Sequence, residues 1–297
     1  MSTRLETLQV AKLAPQVLGD ATSLVADFLR SRQTRDGGFG DRGDDRSSGD
    51  LYYTVFGLDA LAAVGSEPRR PVRGFLETFD GGQELDLVHL GCLIRAWSAV
   101  EADPGEARRE AWRRRLDDLR RDDGGWAAEP DVGHSSVYST FVALGAHQDA
   151  GLELAEPAAV RAYLEARLDD AGGYEADAEL TVATTPTTAA AVDALRQLGA
   201  EPSSRSIDWL RRRIHPQGGF LAADGAPMPD LLSTAVALHS LVGLGASITD
   251  LADLMLDYVD TLWTSRGAFH GHWADDEVDC EYTYYGLLAL GHLSVAA

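Results

Sequence analysis

The stretch FLRSRQTRDGGF, residues 28–39, runs after a short loop into GDLYYTVFGLDAL, residues 49–61, and the reading of this pair decides the fold. Ahead of the glycines, TSLVADFLRSRQ places its apolar residues three and four apart with Asp and Arg between them, the pattern of a helix with one wet face. Glycine tolerates the left-handed backbone that ends a helix, so Gly37-Gly38 is a stop. Behind the loop, LYYTVFGLDALAAVG is apolar nearly all round, as a buried helix must be.

The same parts recur along the chain. The turn reappears as DGGW (123–126), AGGY (171–174) and QGGF (217–220), with weaker copies DGGQ (80–83) and RGAF (266–269). Its second small residue falls at 38, 82, 125, 173, 219 and 268, a period of 43 to 49 residues. Six copies fill the 297-residue chain, so length does not here mean a second domain. AAVRAYLEARL, RSIDWLRRRI and ADLMLDYVDTLW repeat the half-wet outer helix. LGCLIRAWSAV, VYSTFVALGAH, TTAAAVDALRQLG, STAVALHSLVGLG and YTYYGLLALGHL repeat the apolar inner one. Strand-type alternation is almost absent. The expected fold is all-α: a single closed α/α toroid of six helix pairs over residues 20–297, preceded by a helical extension over 1–19. An open solenoid would leave its inner helices uncovered without caps.

Eleven or twelve residues beyond the second small residue, the inner helices begin at Asp50, Ser136, Thr184, Asp230 and Asp279; a shorter loop reaches Asp86. The blocks DLYYT, DLVHL, SVYST, TTPTT, DLLST and DCEYT all open on a residue whose side-chain oxygen can cap a helix. Asp279 is therefore a cap, and Asp275-Asp276 of the DDEVD stretch fall in the loop before it, unlike a magnesium-binding pair on one helix face. The third residue of the blocks runs Tyr52, Val88, Tyr138, Pro186, Leu232 and Glu281. Glu281 is the lone acid of that row, and a carboxyl facing an apolar funnel would be desolvated into a proton donor.

The formal charge of −21 argues against nucleic acid or an anionic membrane surface as partner. Cys92 and Cys280 make no disulfide framework, and no apolar run approaches the roughly 20 residues of a transmembrane helix. A cytoplasmic protein is expected. Serine-hydrolase and phosphate-loop signatures are absent.

With these turns, period and helix pairs, the chain resembles the prenyltransferase and squalene-cyclase repeat superfamily over roughly residues 20 to 295. Its layout is closest to the β subunits of protein prenyltransferases of the Rab geranylgeranyl type. The resemblance implies zinc ligands at positions 230, 232 and 282, where this chain has Asp230, Leu232 and Tyr282. A reshuffled zinc set would draw on Asp230, Cys280 or His272. The cations that hold a prenyl diphosphate in the resembled enzymes have no counterpart in LAADGAPMPD, residues 221–230. Neither metal nor cofactor is expected. The cyclase branch carries a D-x-D-D-T-A motif whose middle Asp protonates an alkene or epoxide. MPDLLSTAVAL keeps Asp230, while DCEYT keeps an acid at the middle position as Glu281.

The resulting expectation is an enzyme acting on a prenyl chain in an apolar funnel, with a hydrophobic isoprenoid-like partner and an optional helical partner subunit. Glu281, Asp279 and Asp230 are the candidate catalytic residues. Tyr52, Asp50, Asp86, His89, Tyr138, Tyr282 and Tyr285 are the candidates to meet substrate, the aromatic ones by stabilising cations. The alternatives are a non-catalytic toroid that binds a lipid or protein, and a glycosidase-like ring using two of the acids Asp50, Asp86, Asp230 and Asp279.

Overall fold

The structure is a computed structural model that describes residues 2–43 and 47–296. Residues 1 and 297, the outer limits of the expected extension and toroid, lie outside the described residues. Among the described residues, six inner helices follow the six blocks: α4 (Leu51–Ala63), α6 (Leu87–Ala99), α8 (Val137–Ala150), α10 (Thr185–Gln197), α12 (Leu231–Gly243) and α14 (Cys280–Leu293). The outer set is α3 (Thr22–Ser31), α5 (Arg73–Glu77), α7 (Glu106–Leu119), α9 (Pro157–Glu165), α11 (Arg205–Arg211) and α13 (Ala252–Thr261). Each inner helix packs on the next, and α14 packs on α4, which closes the ring. Among the described residues, β structure is limited to isolated bridges at the turns.

All six inner helices are capped as their sequences require. Asp50, Asp86, Ser136, Thr184, Asp230 and Asp279 each accept a hydrogen bond from the backbone N–H three residues on. A threonine four residues past the cap ties the glycine turn to the helix. Thr54 Oγ1 donates to the Asp50 carbonyl at 2.6 Å and accepts from the Phe39 N–H at 2.9 Å. Thr140, Thr188 and Thr234 likewise receive the N–H of Trp126, Tyr174 and Phe220. These buried polar groups are thus satisfied inside four of the repeats, the first, third, fourth and fifth.

The turn aromatic lies beneath the inner helix, where the chain keeps a small residue seven places past the cap: Gly57, Ala143, Ala191, Ala237 and Gly286. A Cβ on Gly57 would collide with the Phe39 ring, and one on Gly286 with Phe269. The second repeat has Gln83 in place of the aromatic, and there the position is Leu93, whose side chain closes on Gly82 instead.

Between repeats, the glycine turn abuts the next outer helix. Gly37 has φ +100°, and a side chain there would strike the Pro71 carbonyl. Gly267 of the sixth repeat, φ +84°, stands in the same way against Leu24 of α3, so the last repeat treats the first as its successor. Helix α1 (Thr3–Ala11) and the single turn α2 (Pro15–Leu18) stand outside the six pairs. α1 crosses the end of the ring where the inner helices finish, packing on α14, α4 and α8. Among the described residues no helix is long and apolar enough to cross a membrane.

Candidate functional site: a layered central cavity

The inner helices enclose a central cavity of about 1020 Å³ of empty space, counting its solvent-open mouth. Because every inner helix starts at a matched cap, the residues that reach the cavity fall in layers. Two places past the cap stand Tyr52, Val88 and Tyr138; five and six places past it come Phe56, Cys92, Phe141, Val236, Tyr284 and Tyr285. Nine places past it the layer turns polar, with Arg95, Asp193 and His239 on the wall.

Glu281 belongs to the first layer, at the mouth. Tyr52 donates its hydroxyl to Glu281 Oε1 at 2.6 Å. Burial raises the Glu281 carboxyl from 4.5 to about 7, with the Asp279 charge adding to it and the Tyr52 bond and Arg42 opposing. Burial, followed by the neighbouring Tyr285 and Glu281, keeps the Tyr52 phenol protonated far above its ordinary range. Tyr138 and Tyr285 are raised too, by burial first, and both feel the Glu281 charge. The layer below is aromatic: Phe56 meets Tyr52 at 5.1 Å and Tyr285 at 5.6 Å between ring centroids. The mouth can therefore present a protonated carboxyl over an aromatic wall.

The other sequence candidates stand around the rim. Asp279 is fully buried; its Oδ1 accepts the Tyr282 N–H at 2.8 Å and its Oδ2 the Arg42 Nε at 2.7 Å. Asp230 accepts the Ser233 N–H at 2.7 Å and the Ser233 hydroxyl at 2.8 Å, and burial raises its pKa. Asp50 caps α4 through the Tyr53 N–H. Asp86 holds both the backbone N–H and the ring Nδ1 of His89 at 2.8 Å. Tyr282 lies under the Arg42 guanidinium, 5.1 Å from ring centroid to Cζ. Of the candidates, the structure brings together Glu281, Tyr52, Tyr138 and Tyr285; Tyr52, Tyr138 and Tyr285 line the cavity itself.

Sequence reasoning missed the floor. Arg4 of α1 reaches Asp59 Oδ1 at 2.9 Å, and Arg95 reaches Asp59 Oδ2 at 2.8 Å through Nε and 2.6 Å through Nη2. Asp149, Asp193 and His239 join them on the cavity wall. The signal was present: Asp59, Arg95, Asp149, Asp193 and His239 interrupt helices that are otherwise apolar all round.

The model of the prenyltransferase alpha-alpha toroid domain matches residues 8–94 and 163–295. The chain belongs to the prenyltransferase α/α-toroid family. Among solved structures it is similar to a variant of the type II terpene cyclase MstE from Scytonema in complex with its substrate, geranylgeranyl dihydroxybenzoate. That match has a TM-score of 0.65 and 14% identity, and covers 98% of each chain. It is also similar to the Candida albicans protein geranylgeranyltransferase-I complexed with GGPP, with a TM-score of 0.54 and 14% identity over 70% of this chain and 66% of the other. A third is ent-copalyl diphosphate synthase from Streptomyces platensis, with a TM-score of 0.53 and 16% identity over 83% of this chain and 50% of the other. No curated protein matches the sequence.

Zinc, which the protein-prenylating branch of this toroid family implies, does not suit the residues present. Position 232 is leucine, which offers no donor, and Tyr282 packs under Arg42 while Asp230 is engaged by Ser233. Among the described residues no group of three or more His, Cys, Asp or Glu side chains could hold a metal ion.

Proposed function

We propose that this toroid binds a neutral isoprenoid in its central cavity and that Glu281 acts on the chain as a general acid. The observation that carries the reading is the Glu281 carboxyl, raised to about 7 and fixed by Tyr52 at the mouth of an aromatic-walled cavity. Its Oε1 is held by the phenol, which leaves Oε2 to carry the proton. A structural neighbour takes geranylgeranyl dihydroxybenzoate as its substrate, which is consistent with a prenyl chain in a cavity of this shape.

A carboxylic acid of near-neutral pKa is a weak donor, better matched to an epoxide oxygen than to a bare alkene. Glu281 would give its proton to that oxygen. The C–O bond breaks as the π electrons of a neighbouring alkene form a new C–C bond, leaving a tertiary cation. Loss of a proton from the adjacent carbon to the Glu281 carboxylate restores the acid, so the reaction is an isomerisation and needs no co-reactant. Phe56, Tyr284 and Tyr285 offer π faces to the cation. Asp279 and Asp230 hold helix starts, and Asp279 with Arg42 sets the charge beside Glu281.

Repulsion argues against a diphosphate headgroup. At the mouth, the Arg42 guanidinium is already shared by Asp279 and Asp275. The test is incubation with the terminal epoxides of farnesol and geranylgeraniol, with products followed by gas chromatography and mass spectrometry. Conversion to cyclic isomers by the parent and not by Glu281→Gln is expected. Binding without turnover in the parent would leave a lipid-binding toroid in place of an enzyme.

A further inference from the structure

The polar floor of the cavity has two halves that differ in one respect. Arg4, Asp59 and Arg95 form a closed set, because both guanidiniums are bound to the two oxygens of Asp59. Asp149, beside them, has a pKa raised by burial and is bonded to Ser2. The other half is open. His239 lies on the cavity wall at 4% exposure, and its Nε2 is buried with no hydrogen-bond partner. Asp193 Oδ2 and Glu6 Oε1 stand 3.7 and 3.9 Å from it, beyond hydrogen-bond reach. Glu6 is already engaged by Arg196 and Gln197 at 2.8 Å each, and Asp193 accepts a long bond of 3.5 Å from Arg196. A buried ring nitrogen without a partner is costly unless a ligand or water supplies one.

We propose that this half of the floor binds a hydroxyl group, so that the isoprenoid enters head-first as an alcohol and leaves its tail beside Glu281. The inference rests on the reading given under Proposed function. Its chemistry follows from the histidine pair. His239 Nδ1 and His292 Nε2 lie 3.0 Å apart, and one of them must donate to the other. Burial, with His239 as a second cause, lowers the His292 pKa to about 3, so His292 is neutral. If a neutral His239 donates, its Nε2 is a bare acceptor; if His292 donates, or if His239 is an imidazolium beside Asp193 and Glu6, the His239 Nε2 carries a hydrogen. A hydroxyl satisfies either tautomer, since it both donates and accepts, and the Asp193 carboxylate offers it a second acceptor. An ether only accepts, and an ammonium only donates. A phosphate would meet Asp59, Asp149, Asp193 and Glu6 against three guanidiniums that are already engaged.

The experiment is calorimetric titration of the whole protein with geranylgeraniol, its methyl ether, the matching C20 hydrocarbon and geranylgeranyl diphosphate. The alcohol should bind roughly tenfold or more tightly than the ether or hydrocarbon, and the diphosphate more weakly than the alcohol. His239→Phe should erase the preference for the alcohol while leaving hydrocarbon binding in place. Asp193→Asn, a near-isosteric change, should reduce the preference severalfold and serves should the first variant fail to fold. Equal binding of alcohol and hydrocarbon by the parent overturns this inference alone, as does tighter binding of the diphosphate. If none of the four binds, both this inference and the proposed function fall.

Discussion

Replacing Glu281 by glutamine should change stability in a way that depends on pH, and the structure sets both the sign and the size. The folded carboxyl holds its proton up to about pH 7, against an ordinary value of 4.5. Between those values the folded state binds more protons than the unfolded one, so stability falls as pH rises through the window. The cost is nearly absent below about pH 4.5 and complete above about pH 7. Its ceiling is the shift itself, about 3 kcal/mol, and solvent at the mouth screens part of that, leaving about 1 to 3 kcal/mol. Glutamine keeps an oxygen to accept the Tyr52 hydroxyl but cannot ionise. Glu281→Gln should therefore match the parent near pH 4 and exceed it by about 1 to 3 kcal/mol at pH 8.5. Urea denaturation followed by circular dichroism at the two pH values measures the difference. A gap of the same size at both pH values would show that Glu281 titrates normally, and the argument for a poised acid would be lost with it.

Substitutions at four further positions probe the repeat and the mouth. Thr54→Val strips the buried Phe39 N–H of its acceptor and should cost about 1–3 kcal/mol by the same denaturation assay, with Thr54→Ser recovering most of it. Gly57→Ala drives a methyl into the Phe39 ring and should lower stability by about 1–3 kcal/mol, whereas Gly65→Ala, a site with open space but φ +64°, should cost about 1 kcal/mol through backbone strain alone. Asp279→Ala removes a cap and leaves Arg42 without its closest partner, for about 2–4 kcal/mol; Asp279→Asn, which can still cap, should lose less than half as much in thermal melts.

The ring was legible because its repeat rests on short-range rules. Gly-Gly stops, aromatic residues after them and Asp, Ser or Thr caps are chemical requirements of consecutive elements, and counting from one to the next found all six helix starts. Glu281 stood out on the same count, as the acid in a row of apolar and aromatic residues. The threonine strap was visible as the last letter of five of the six blocks, but its bond to a turn fourteen or fifteen residues back needed coordinates. The floor was harder. Arg4 and Asp59 are 55 residues apart, and Glu6 and Arg196 are 190 apart. No local rule joins such partners; only the closure of the ring does. A polar residue inside an apolar helix could have flagged each one singly, without saying which met which.

Helix α1 has a consequence for how the molecule is made. Its docking partners are spread from one end of the ring to the other: Asp59 in α4, Gln148 in α8, Arg196 in α10 and Tyr284 in α14, whose hydroxyl bonds Thr7 across 277 residues. On the ribosome, α1 emerges before every one of them and cannot complete its contacts until the sixth repeat has left the tunnel. Early repeats can form their own turns and caps, yet the base of the cavity stays open until synthesis of α14 is complete. The helix then acts as a latch that reports completion: a nascent chain truncated before Tyr284 should be caught by proteases with its base unsealed, while one that has closed should resist them.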